Sequence, residues 1–170
     1  MSSAYERELK GLLGGEEEVL RKVTKALEPQ VVKDYHKALA RPFLVVRAAG
    51  SLGVDLVALR GDVSFPIEVK SSTRPLIHFS DGSGKNNDQA ERMMAECARA
   101  SIIPLYAFRL KNARGQDPWR IFTLPTTSLN GRLAVLYDRL PKVEKTPGGS
   151  FVLRWDDGMP LHRFMDYLGQ

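Results

Sequence analysis

The chain has 170 residues, 43% hydrophobic and 26% charged, the balance of an ordinary globular protein with enough apolar matter for one core. A formal net charge of +5 favours an anionic partner, and the single cysteine excludes both a disulfide framework and a cysteine-rich zinc site. No apolar run is long enough to span a membrane and no signal-peptide core stands near the start, so a cytoplasmic setting (a host's, for a viral chain) and no membrane partner are expected.

Residues 4–13 predict a short amphipathic helix with Tyr5, Leu9, Leu12 and Leu13 as its apolar stripe, capped by Ser2 or Ser3 and ended by Gly14-Gly15. Glu6 falls in its first turn, where the helix dipole alone is reason enough for a carboxylate. Residues 16–40 predict a second, mostly helical stretch interrupted by Pro29, with apolar spacing at Val19, Leu20, Val23 and Leu27 and again at Val31, Val32, Tyr35 and Leu39. Its lysines, Lys22, Lys25, Lys33 and Lys37, fit a solvated face or a DNA contact, and His36 reads as an ordinary surface residue. After Pro42, residues 43–47 predict a buried strand, and residues 48–53 a small-residue loop. There Ser51 lies between Gly50 and Gly53, which suit a close approach to a phosphate or simply a turn.

Residues 56–59 and 63–69 are strand-like, and Gly61-Asp62 between them is a two-residue hairpin signal. In a hairpin centred there Asp55 falls opposite Glu68, while Glu68 and Lys70 share a face. Pro66 lies at a pair that exchanges no hydrogen bonds, and its missing N–H implies a bulge or an absent partner on its other side. Two facing carboxylates repel unless something positive lies between them. Lys70 alone would make a salt-bridged face. A hard divalent cation held by Asp55 and Glu68, with Lys70 beside an attacking water, would make a phosphodiesterase.

Residues 71–87 read as a long polar loop, either a substrate-engaging element or a surface excursion, with Arg74, His78, Phe79 and Lys85 as candidate contacts. Residues 88–101 form the clearest helical pattern, with Asp88 and Glu91 resembling a capping box and Cys97 on the packed face. Met93 and Met94 fit the core or a dimer seam. Strands are expected over 102–110 and 119–124, with a turn over 112–118. Beyond these, residues 129–140 predict a helix, 150–155 a strand and 160–168 a short amphipathic helix, with no motif that specifies chemistry. The order of elements gives an α/β fold, a mixed central β-sheet flanked by helices.

Four segments together carry a family resemblance: Tyr5-Glu6-Arg7-Glu8-Leu9, Val45-Val46-Arg47-Ala48-Ala49-Gly50-Ser51, Gly53-Val54-Asp55-Leu56-Val57-Ala58 and Ile67-Glu68-Val69-Lys70. They resemble the archaeal-type Holliday junction resolvases, within the restriction-endonuclease-like nucleases whose signature is Asp, a gap, then Glu-x-Lys. The resemblance covers about residues 3–14 and 43–124. It implies a nuclease domain over 1–124, with a helical segment over about 16–41 longer than in compact members, and a C-terminal extension over 125–170 packed on the same domain. It implies Mg²⁺, with Mn²⁺ as a substitute, on Asp55, Glu68, Glu6 and the Val69 carbonyl, Lys70 acting on the water, and Ser51 positioning the phosphate. Arg7 and Arg47 would contact phosphates, with Arg74 and Lys85 as further DNA-binding residues. The partner implied is a four-way DNA junction, cut by a homodimer. The alternatives are another restriction-type or repair nuclease of this fold, or a non-catalytic DNA-binding module.

Overall fold

A computed structural model describes residues 2–48, 53–80 and 84–170. Helix α1 (Ser2–Leu13) ends at Gly14-Gly15, where Gly15 takes a positive φ of 70° that suits glycine. Since α1 already includes Ser2 and Ser3, neither serine stands ahead of it as the predicted cap. Three short helices follow: α2 (Glu17–Thr24), α3 (Pro29–Tyr35) and α4 (Lys37–Ala40). Pro29 is the first residue of α3, where its fixed φ and missing N–H start a helix rather than interrupt one.

The central sheet has six strands in the order β1-β2-β3-β5-β6-β9. They are β1 (Leu44–Arg47), β2 (Leu56–Leu59), β3 (Ser64–Ser72), β5 (Leu105–Leu110), β6 (Trp119–Thr123) and β9 (Met159–Pro160). Only β3 and β5 run parallel; the other neighbours are antiparallel. The β2–β3 turn is the predicted one: Arg60 and Val63 exchange both backbone bonds, at 3.1 and 3.2 Å, around Gly61-Asp62. The register then pairs Val57 with Pro66 and Leu56 with Ile67, as predicted. The ladder to β5 begins only at Ile67, so the N–H that Pro66 lacks is not required on that side either.

The 43–47 segment is a strand but not a buried one. It forms the sheet edge, leaving Leu44 and Val46 67% and 46% exposed. The 71–87 segment is more ordered than a loop. β3 runs to Ser72, and β4 (Leu76–His78) joins β8 (Phe151–Arg154) and β7 (Glu144–Lys145) in a second sheet. Phe79, a candidate substrate contact in the sequence, is fully buried there, so its ring packs in the core instead. Helix α5 (Lys85–Ala100) begins three residues before the predicted start, with Gly84 ahead of it and Asp88 inside its first turn, so the expected capping box is not formed. Cys97 and Met93 are buried on its packed face, as expected.

Apolar residues of β3 and β5 on one sheet face, Ile67, Val69, Leu105 and Ala107, pack against α1, the 20–38 helices and α7 (Leu161–Leu168). The opposite face, with Tyr106, Phe108 and Phe122, is covered by α5 and the second sheet. The C-terminal residues are woven into both sheets through β7, β8 and β9, with α6 (Gly131–Arg139) between β6 and β7.

Candidate active site

Asp55 lies just before β2, where the ladder slips. Its N–H donates to the Ile67 carbonyl at 3.1 Å, although Ile67 is already paired with Leu56. Two residues thus face one, the pattern of a β-bulge, which bends a strand and re-aims a side chain. Asp55 Oδ2 accepts a 2.8 Å bond from the Val69 N–H. The simple face-to-face pairing of Asp55 with Glu68 expected from spacing is therefore modified by this bend. In an extended strand a residue's N–H and C=O point to the same edge, so the Val69 carbonyl also faces the Asp55 side.

Glu68 is 5% exposed. Lys70 Nζ stands 3.3 Å from its Oε2, while Oε1 is buried without a hydrogen-bond partner. Burial pushes the carboxyl up to about 7; the Lys70 charge opposes the rise, and the nearby Asp55 adds to it. At neutral pH the Glu68 carboxyl is therefore only about half ionised, and a cation bound beside it would favour the charged form. Lys70 Nζ also donates to Asn86 Oδ1 at 2.9 Å. Next in the parallel ladder, Tyr106 pairs with Glu68, which puts the two side chains on one face. The Tyr106 hydroxyl is buried and unpartnered as well, and burial together with the Glu68 and Asp55 charges raises its pKa strongly.

Of the remaining predicted residues, Glu6 and Arg47 meet each other. Arg47 Nη2 donates to Glu6 Oε2 at 2.9 Å, and Glu6 is 8% exposed. Among the described residues no three acidic, His or Cys side chains gather as one ligand group, so Glu6 does not join Asp55 and Glu68 in this arrangement. Arg7 and Arg74 are exposed. Lys85, the first residue of α5, lines an open cleft of about 600 Å³ with Gly53, Asn86, Asp88, Gln89 and Arg92. Gln89 Nε2 ties that helix to the Gly53 carbonyl at 2.7 Å. Ser51 lies outside the described residues, as does most of the loop around it.

Sequence reasoning missed Asn86, Gln89, Arg92 and Tyr106. The first three sit in a polar stretch whose only visible signal was the later helical period. Tyr106 sits in an apolar strand, and its place beside Glu68 depends on the β3–β5 register, which no local pattern encodes.

This fold is similar to that of a solved structure of Hjc from Archaeoglobus fulgidus, a Holliday junction resolvase from an archaeal hyperthermophile. The match has a TM-score of 0.51 and 18% identity, and covers 95% of each chain. That coverage leaves too little unmatched to omit either the 16–41 segment or the 125–170 tail, although the tail aligns with nothing by motif. No protein-family model and no curated protein matches the sequence. The likeness shows the fold: an α/β arrangement with a mixed, mostly antiparallel sheet between helices.

Proposed function

We propose that this chain is a metal-dependent endonuclease that resolves four-way DNA junctions by phosphodiester hydrolysis. The observation that carries the reading is the buried, unpartnered Glu68 Oε1 beside Asp55 and Lys70. A buried carboxylate oxygen without a partner costs about 1–3 kcal/mol, a debt that folding alone leaves standing and a cation removes. Two carboxylates with the Val69 carbonyl nearby form an all-oxygen donor set, which suits Mg²⁺, or Mn²⁺ in its place, and leaves positions for water and phosphate.

Asp55, Glu68 and the Val69 carbonyl would hold the ion. Bound there, it supplies positive charge to the phosphodiester and lowers the pKa of a water. Lys70 places a second positive charge and a donor at the attacking oxygen, which stabilises the negative charge that grows during attack. Arg47, Arg7, Lys85 and Arg74 would bind the DNA backbone, with Ser51 against the phosphate. Glu6 holds Arg47 in place for that contact. The +5 charge is of the sign that backbone binding needs. A homodimer would present two such sites to opposed strands.

The test is cleavage of a labelled four-way junction and of a linear duplex of the same sequence, with and without Mg²⁺. The expected outcome is paired nicks in the junction only, and only with the metal. Equal cutting of both substrates would keep the nuclease and remove junction selectivity. Junction binding without cutting under Mg²⁺ or Mn²⁺ would leave a DNA-binding module.

A further inference from the structure

Lys70 does not stand between carboxylates alone. Its ammonium donates to the Asn86 amide oxygen at 2.9 Å as well as standing 3.3 Å from Glu68 Oε2, and the lysine side chain is only 17% exposed. Asn86 belongs to the first turn of α5. That turn has no side-chain cap, and the residue ahead of it, Gly84, takes a left-handed φ of 76°. A helix start of this kind frays unless something outside the helix holds it.

The next residue supplies the hold. Asn87 Oδ1 accepts from the Phe151 N–H at 3.0 Å, and its Nδ2 donates to Ser150 Oγ at 2.6 Å. Both partners lie at the start of β8, in the C-terminal extension. The same strand fixes the chain ahead of α5, because the Phe79 N–H donates to the Phe151 carbonyl at 2.9 Å. Two adjacent asparagines therefore hold different parts of the chain: one grips the tail, and the other grips the lysine of the candidate site.

We infer that Asn86 is a positioning residue for Lys70, and that the C-terminal extension acts on the site through Asn87 by fixing the turn that carries Asn86. This rests on the endonuclease reading for its functional consequence, but the coupling itself is a property of the folded chain. A flexible four-carbon stem leaves an unheld ammonium many rotamers, and a misplacement of about 1 Å at a reacting group is worth on the order of 100-fold in rate. The effect belongs in kcat, because Lys70 acts on the water and not on DNA affinity.

Two readouts test the coupling. The first needs no activity: the rate of reductive methylation of Lys70, followed by peptide mass spectrometry, in the wild type, Asn86→Leu and Asn87→Ala. Both substitutions should raise that rate severalfold while methylation of the exposed Lys85 stays unchanged. The second is junction cleavage at saturating protein. Asn86→Leu should lower kcat by roughly 10- to 100-fold with unchanged junction affinity, and Asn86→Asp, which keeps an acceptor oxygen, should restore it to within about threefold of the wild type. If Asn87→Ala unfolds, Ser150→Ala removes one of the two bonds and should give a smaller rise in Lys70 labelling. Unchanged Lys70 labelling in folded Asn86→Leu overturns the inference whether or not the protein cuts DNA. Absence of cleavage by the wild type, with labelling changed as expected, overturns the nuclease reading alone.

Discussion

The Glu68 carboxyl is the residue where folding and the proposed chemistry pull in opposite directions. It lies buried, with Lys70 on one oxygen and no partner on the other. Its pKa rises from the ordinary 4.5 to about 7, first because burial disfavours the charge and then because Asp55 adds to the effect. Below pH 4.5 both the folded and unfolded chains hold this proton, and the group is neutral in either state. As pH rises from 4.5 to 7 the unfolded chain releases it first, so folded stability falls across that window, by about 3 kcal/mol at most. Glu68→Gln removes the titration. In buffer free of divalent ions it should be more stable than the wild type by about 1–3 kcal/mol at pH 8, with the difference fading by pH 4. Urea denaturation at the two pH values measures this, and a difference independent of pH would contradict it. Adding Mg²⁺ should close the gap by stabilising the wild type alone. The Asp55–Glu68–Lys70 set was legible in the sequence because a two-residue turn fixes a hairpin's register. The slip at Asp55 was not, because a bulge of this kind has no glycine or other local signature to announce it.

At the scale of elements, α3 and the C-terminal helix α7 are tied to the sheet through one buried carboxylate. Asp117, 4% exposed, accepts from the Tyr35 hydroxyl of α3 at 2.6 Å and the Trp119 N–H of β6 at 3.0 Å on one oxygen. Its other oxygen accepts from the His162 N–H of α7 at 2.8 Å. A second carboxylate, Asp34, faces His162 Nδ1 at 2.9 Å. Asp117→Ala strands three donors at once, two of them buried, and should cost about 3–5 kcal/mol in urea denaturation, whereas Tyr35→Phe should cost about 1–2 kcal/mol. A loss under 1 kcal/mol for Asp117→Ala would show that these elements hold without it. Helical period and turn chemistry were enough to place α1, α3, α5, α6 and α7 approximately. They could not place β4, β7 and β9, which have three, two and two residues. An alternation of period two needs about four residues to show itself, so the second sheet and the sixth strand were invisible. The edge position of β1 was hidden for a related reason: Leu44, Val45 and Val46 are equally apolar, and only the strand order shows that two of them face outward.

At the scale of the molecule, the tail is part of the sheet-and-helix body rather than an appendage. It adds β9 to the main sheet, completes the second sheet and, through Arg60 Nη2 bonded to the Leu168 carbonyl at 2.8 Å, braces the β2–β3 hairpin. Arg41, Arg60 and Arg132 converge on Asp62 in the turn of that hairpin, and the Arg60 bonds hold its carboxyl well below the usual range. The hairpin is thus braced at its turn, away from the bend at Asp55, with Asp55 at the far end of β2 and Glu68 on β3. A carboxylate pair held beside one lysine suits the proposed hydrolysis of a phosphodiester. The most direct test is the single-turnover rate of nicking of a four-way junction in Mg²⁺ by the wild type beside Lys70→Ala, at saturating protein. The variant should bind the junction with wild-type affinity and cut at least about 100-fold more slowly. Cutting by Lys70→Ala at the wild-type rate would contradict it.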